Sequence, residues 1–162
     1  MVVGLGSGVP EQITPEVDAA LRHCDTVAGY SNYVDFIRDR IIGKPIIQNG
    51  MMGEVARCRA TLEAAAAGQE VCMVCSGDPG ILAMAGLLFE LRAREPEFAD
   101  IPIRVLPGIT AATIAAASLG APLQNGFSLV SLSDLLVPAD ESVEVNGLGV
   151  RIAAAKDGGE TT

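Results

Sequence analysis

The sequence predicts an α/β fold, with a mainly parallel sheet and flanking helices, on three observations. Short apolar runs alternate with helix-length segments along the chain, and strands alternating with helices need the crossover connections of parallel sheets. Hydrophobic residues make up 49% of the chain but aromatic ones only 4%, so the core is built from Val, Ile, Leu, Met and Ala, as in layered α/β proteins. The 162 residues correspond to about one domain with a sizeable core.

The elements follow in order. Strands are expected over 2–5, 25–28, 45–48, 71–75, 103–106 and 127–131, with helices over 15–24, 32–40, 54–67, 81–94 and 110–119. Thr14, Pro15 and Glu16 supply an N-cap, a proline at the first helical position and an acid in the first turn. Gly68 is placed to stop the third helix, "EVARCRATLEAAAAG". The run "VCMV" reads as a buried strand, and "LAMAGLLFELRAR" after it as a helix. Asn146-Gly147 between "VEV" and "LGV" reads as a small hairpin. No internal repeat or low-complexity linker interrupts the pattern.

A formal charge of −9 argues against nucleic acid as a partner, because that affinity comes mainly from Lys and Arg on phosphates. A local basic group, Arg38, Arg40 and Lys44, can still serve an anionic small molecule within a Debye length. The first residues, "MVVGLGSG", lack a basic n-region and apolar h-region, and the chain reads as cytoplasmic. The charge-free stretch 105–133 is divided by Pro107, Gly108, Gly120, Pro122 and Gly126 into pieces too short for a membrane span, so it reads as buried soluble core.

The four cysteines are Cys24, Cys58, Cys72 and Cys75. On a strand, Cys72 and Cys75 point to opposite faces and cannot easily share a metal or a disulfide, so all four read as small buried hydrophobes. His23 is the only histidine and no second CxxC exists, so no metal site is expected.

In a parallel sheet, ligands bind beyond the carboxyl ends of the strands. The three loops "GLGSGVPEQIT", "CSGDPGI" and "LPGITAAT" place glycines beside small polar groups at that edge, where backbone amides can meet a ligand. A dinucleotide fingerprint is not present: Gly4 and Gly6 fit, but Val9 stands where the third glycine belongs, and the second strand ends at Gly29-Tyr30 without a ribose-binding acid. No Gly-Lys-Ser/Thr follows to make a P-loop.

The ordered segments "VVGLGSGVPEQIT", "VAGYSNYVDFI", "SGDPGILAMAGLLFEL", "VLPGITAATIAAASLGAPL" and "FSLVSLSDLLVP" resemble the tetrapyrrole methylases, over roughly residues 2–138. The segments around Gly29-Tyr30 and 131–136 are similar to the C(17)-methylating branch of cobalamin biosynthesis, which acts on precorrin-3B or its cobalt counterpart. The resemblance implies S-adenosylmethionine as methyl donor, a tetrapyrrole substrate, and no nucleic-acid or membrane partner. It places Ser76, Gly77 and Asp78 on the cofactor's methionine part, largely through backbone groups, with Ile81 packing beside it, Thr110 and Ala111 as a second pair, and Ser7 near the cofactor from the first loop. On this reading Gly77→Val fills cofactor space and leaves the fold intact. Asp78 alternatively caps the helix after it.

The implied reaction is direct displacement at the sulfonium methyl, which needs positioning and exclusion of water rather than a catalytic triad. The accompanying ring contraction needs an acid or base, for which Asp134 and Tyr30 are candidates. Tyr30 and Tyr33 fit half-buried packing equally well. Where the family's first loop usually reads glycine-proline-glycine-aspartate, this chain has Gly6-Ser7-Gly8-Val9, and Asn125-Gly126 stands where the subfamily carries a histidine-aspartate pair. The resemblance also implies residues 1–138 as an N-terminal methylase domain and 139–162 as a divergent tail, the family's second α/β domain being absent. The expected partners are therefore a second copy or a complementing C-terminal domain. An alternative is a non-catalytic half-domain that binds tetrapyrrole or a partner.

Overall fold

The computed structural model describes residues 1–124, 127–129, 143–145 and 148–150. Residues Met1–Phe127 form one compact unit. Its five-stranded sheet runs in the order β3-β2-β4-β1-β5, with β1 Val2–Gly4, β2 Thr26–Tyr30, β3 Ile46–Asn49, β4 Val71–Cys75 and β5 Val105–Leu106. All four pairings are parallel, and Val2 sits opposite Met73 on one side and Val105 on the other. The expected parallel α/β sheet is the one observed.

Strand alternation divides the core into two layers. Val3, Leu5, Val27, Cys72, Val74 and Leu106 face α1 (Pro15–His23) and α2 (Ser31–Asp35), through Val17, Leu21 and Val34. Val2, Ala28, Val71, Met73 and Cys75 face α3 (Glu54–Ala66) and α4 (Ala85–Arg94), through Cys58, Leu62, Leu88 and Leu91. Thr14 caps α1 as expected, its hydroxyl accepting from the Val17 amide at 3.3 Å. Gly68 follows α3 at φ 88°, the left-handed geometry of a helix stop.

Several boundaries differ from the expected ones. The second strand starts at Thr26 because Asp25 instead clasps residue 70, its amide donating to the Glu70 carbonyl at 2.7 Å and its carboxylate accepting from the Glu70 amide at 2.8 Å. The helix expected over 32–40 ends at Asp35 and gives way to a 3-10 turn at Arg38–Arg40. Val34, Ile37 and Ile41 are nevertheless buried at helical spacing, which is why the period reads as one helix. The fourth helix starts at Ala85 rather than 81, since Leu82 at φ 51° cannot continue a right-handed helix.

The charge-free stretch is a larger correction. Only Leu106 of 105–124 is buried, and α5 (Ala111–Ser118) has no buried residue: no element among the described residues lies over it. No helix among the described residues is long and apolar enough to cross a membrane. Of the sixth strand expected over 127–131, residues 127–129 form no strand and the remainder lies outside the described residues. In the second unit, β6 Val143–Val145 and β7 Leu148–Val150 pair antiparallel with Val145 opposite Leu148, the strand pairing expected of the hairpin; its expected turn at 146–147 lies outside the described residues.

Candidate functional site

The loops leaving β1, β4 and β5 converge at the carboxyl edge of the sheet. Gly4, Gly77 and Gly108 touch backbone to backbone: a Cβ on Gly4 or on Gly108 would collide with the Gly77 carbonyl oxygen. Gly77 also pairs with the first loop, its amide donating to the Gly6 carbonyl at 2.7 Å and its carbonyl accepting from the Gly6 amide at 3.2 Å. Both glycines are left-handed, at φ 61° and 63°. That conformation corrects the expectation for Gly77→Val, because a branched side chain at φ 63° strains the fold itself.

Asp78 does not cap α4, whose N-cap is Met84. Its Oδ1 accepts from the Gly80 amide at 2.8 Å and its Oδ2 from the Gly108 amide at 3.1 Å. The carboxylate thus ties the second loop to the third. Thr110 is the N-cap residue of α5 but makes no side-chain cap bond, so no hydroxyl covers the helix's first amides. A Cβ at Gly77 would lie 3.5 Å from the Ala111 amide and 3.7 Å from the Thr110 Cα. The structure therefore brings Ser76, Gly77, Asp78, Thr110 and Ala111 together. Ile81 lies further along the second loop, exposed. Ser7 is exposed in the first, its amide donating to Gln12 Oε1 at 3.1 Å and its hydroxyl accepting from the Val9 amide at 3.5 Å. Gly8 is covered by the Phe36 ring, which a Cβ there would strike.

Tyr30 ends β2 and stacks edge-on against Tyr33, with ring centroids 5.2 Å apart. Both rings line a cavity of about 200 Å³ with Ser76, Leu82, Met51, Glu54 and Arg57. Arg57 was not singled out in the sequence, although the signal was there: Arg57, Cys58, Thr61 and Leu62 form the buried stripe of α3, and an arginine at a stripe position is unusual. A larger concavity, about 720 Å³, is lined by Met1, Val71 and Arg104 at the amino edge. The glycine loops and the ligand-binding rule for parallel sheets favour the carboxyl edge. Asp134 lies outside the described residues.

The local basic group is engaged elsewhere. Arg40 and Arg22 pair with Asp18, Arg38 pairs with Asp35 at 2.9 Å, and Lys44 Nζ donates to the carbonyls of Arg22 and Cys24 at 3.0 and 2.5 Å. Burial of the Asp18 carboxyl pulls its pKa upward, but hydrogen bonds and charge from Arg22 and Arg40 prevail and hold it below the usual value. Cys72 lies in one core layer with Cys24, and Cys75 in the other with Cys58. Burial pushes the Cys58 thiol up to about 12 and the Cys75 thiol to about 11, so both are neutral packing groups near pH 7.

The parallel α/β sheet thus carries glycine-tied loops and a mainly apolar cavity at its carboxyl edge, the edge at which sheets of this class meet their ligands. The chain belongs to the tetrapyrrole (corrin/porphyrin) methylases, matching that family over residues 1–160. It is 42% identical over 137 residues to the probable cobalt-factor III C(17)-methyltransferase of Salmonella typhimurium, covering 85% of this chain and 56% of that one. It is 38% identical over 138 residues to the precorrin-3B C(17)-methyltransferase of a Sinorhizobium species, covering 85% and 54%. Among solved structures, the methyltransferase CobJ superposes with a TM-score of 0.77 at 46% identity, over 85% of this chain and 57% of that one. The cobalt precorrin-4 methyltransferase CbiF gives 0.63 at 26% identity, over 77% and 52%. The chain thus spans about half the length of these relatives.

Proposed function

We propose that the chain forms the cofactor-gripping part of an S-adenosylmethionine-dependent methyltransferase that methylates C-17 of a precorrin-3B-type tetrapyrrole in cobalamin biosynthesis, with ring contraction. Residues 1–138 are the methylase domain of this reading and 139–162 a divergent tail, with a second domain or a second copy completing the cleft. One observation carries it: three glycine loops lock together at Gly4, Gly77 and Gly108, in a chain 42% identical to a C(17)-methyltransferase relative.

The residues present fit the cofactor. Gly77, with no Cβ, leaves a small gap beside Ala111 and Thr110, where a Cβ would come into van der Waals contact at 3.5 and 3.7 Å and where α5 starts without a side-chain cap. In this reading Ser76, Thr110 and Ala111 hold the cofactor by backbone groups, Gly77, whose amide and carbonyl are paired with Gly6, lets it approach the loop closely, Ile81 packs on it, Ser7 approaches from the first loop, and Asp78 keeps the loops in register. When bound, S-adenosylmethionine supplies an electrophilic methyl on a sulfonium, already a good leaving group. The chain's own contribution is then orientation and exclusion of water. Tyr30 and Asp134 are the proposed proton donors or acceptors for ring contraction; Tyr30 lines the adjoining cavity. A second reading, binding without turnover, draws on the exposure of Ile81 and Ile109 beside the groove.

The test is titration of S-adenosylhomocysteine into the chain, observed by amide NMR. Shifts centred on Gly77, Ile81, Thr110 and Ala111 are expected, with binding weakened at least about tenfold in Ile81→Asp and the fold unchanged. No shift at millimolar ligand, or shifts confined to other residues, would refute the assignment.

A further inference from the structure

Six arginines among the described residues pair with carboxylates: Arg22, Arg38, Arg40, Arg59, Arg94 and Arg104. Arg57 does not, although it is only 4% exposed. Its Nη1 donates to Asn49 Oδ1 and, at 3.5 Å, to the Gly50 carbonyl, while its Nε is buried without any hydrogen-bond partner. Buried charges are ordinarily paired, and a buried donor left unmade is costly. The arrangement is built rather than incidental. Asn49 is braced by its own Nδ2 donating to the Gly53 carbonyl at 2.9 Å, and its carbonyl accepts from the Ser31 hydroxyl at 3.2 Å. A Cβ at Gly53 would strike the Asn49 amide. One arm of the guanidinium is therefore fixed, and the Nε edge is left over.

Arg57 lines the cavity of about 200 Å³, a volume below the roughly 300–1,000 Å³ of sites that enclose whole drug-sized ligands. The cavity suits one arm of a ligand rather than its body. Its rim is apolar: Met51 is 77% and Leu82 63% exposed. Ser76 lines it too, so it adjoins the glycine loops directly. Glu54 is also in the lining; a ligand must therefore be recognised by the planar fork of Arg57 and not merely drawn by positive potential.

We propose that Arg57 anchors a carboxylate-binding subsite, which takes an acidic arm of a ligand whose apolar body rests on Met51 and Leu82. The carboxylate chemistry follows from the unpaired fork, since bidentate carboxylate is the partner that its geometry fits. That the arm belongs to the tetrapyrrole rests on the function proposed above; the other source is the α-carboxylate of the methyl donor. The test uses the whole chain with uroporphyrin III, its methyl ester, and S-adenosylhomocysteine, reading affinity and the Arg57 Nε–H resonance. The free acid is expected to shift that resonance and to bind at least about tenfold more tightly than the ester, with a similar loss in Arg57→Gln and in Arg57→Lys, which keeps the charge but not the fork. If Arg57→Gln instead weakens S-adenosylhomocysteine, the subsite stands and its carboxylate is the cofactor's. Circular dichroism checks the folding of both variants, and the acid-against-ester comparison on the unaltered chain needs neither. An unmoved Nε–H resonance with both ligands, or equal affinity for acid and ester together with unchanged S-adenosylhomocysteine affinity in Arg57→Gln, overturns the subsite. The porphyrin comparison requires no cofactor, so failure of the cofactor reading, seen as silent Gly77 and Thr110 amides, is told apart from failure of this one.

Discussion

Asp78 divides its carboxylate oxygens between two loops, holding the Gly80 amide of its own and the Gly108 amide from 30 residues away. Removing it leaves a partly buried amide without its partner in a place where three backbones already touch. Asp78→Ala is therefore expected to destabilise the domain by about 1–3 kcal/mol in urea unfolding, and Asp78→Asn by less, since its side-chain oxygen can still accept one of the two bonds. Equal stability of Asp78→Ala and wild type would show that the glycines alone hold the loops. At this scale the sequence showed that 75–81 was a special loop, because glycine, proline and a short acid follow a buried strand. It did not show what the acid does, because its second partner is fixed by β4 and β5 flanking β1 in the sheet. Arg57 was legible in principle from the α3 stripe, yet the missing partner at its Nε exists only in the folded chain.

The strands were legible because buried parallel strands are short continuous apolar runs, and the two alternating sets on β4 separate Cys72 from Cys75 into different layers. Helix starts were harder to read. The apolar residues 81–84 continue the pattern of α4, but the turn at Asp78-Pro79-Gly80 delivers the chain at an angle that puts Leu82 at φ 51°, and only at Ala85, whose amide reaches the Pro79 carbonyl at 3.0 Å, does the helix begin. A left-handed leucine costs about 1–2 kcal/mol that glycine does not incur. With its side chain 63% exposed, little packing is lost on removal. Leu82→Gly is accordingly expected to match or exceed wild-type thermal stability, the gain limited to about 1 kcal/mol by the entropy of the unfolded glycine. A clear drop in melting temperature would mean that the leucine packs more tightly than its exposure indicates. The left-handed turn also sets Leu82 on the rim of the Arg57 cavity, where strain is commonly kept for function.

For the whole molecule, α5 poses the main question. Its sequence, "AATIAAAS", is apolar on every side, yet no residue of it is buried, and Ile109 and Leu119 flank it exposed. A helix hydrophobic all round belongs inside a protein, and the exposed apolar residues around it favour association. This helix also starts at the proposed cofactor groove, so whatever covers it closes that groove. Transfer by positioning is sensitive to such closure, since misplacement by about 1 Å can cost about a hundredfold in rate. The chain alone is therefore expected to sediment as a dimer or larger species at high concentration. It is also expected to transfer little labelled methyl to a precorrin-3-type macrocycle until the C-terminal part of a relative, such as the Salmonella enzyme that this chain matches over 56% of its length, is added. Addition of that part should shift the sedimenting species to a mixed complex and raise methyl transfer together. A strictly monomeric chain would leave α5 without its expected cover, and vigorous methyl transfer by that monomer would show that the groove closes without help.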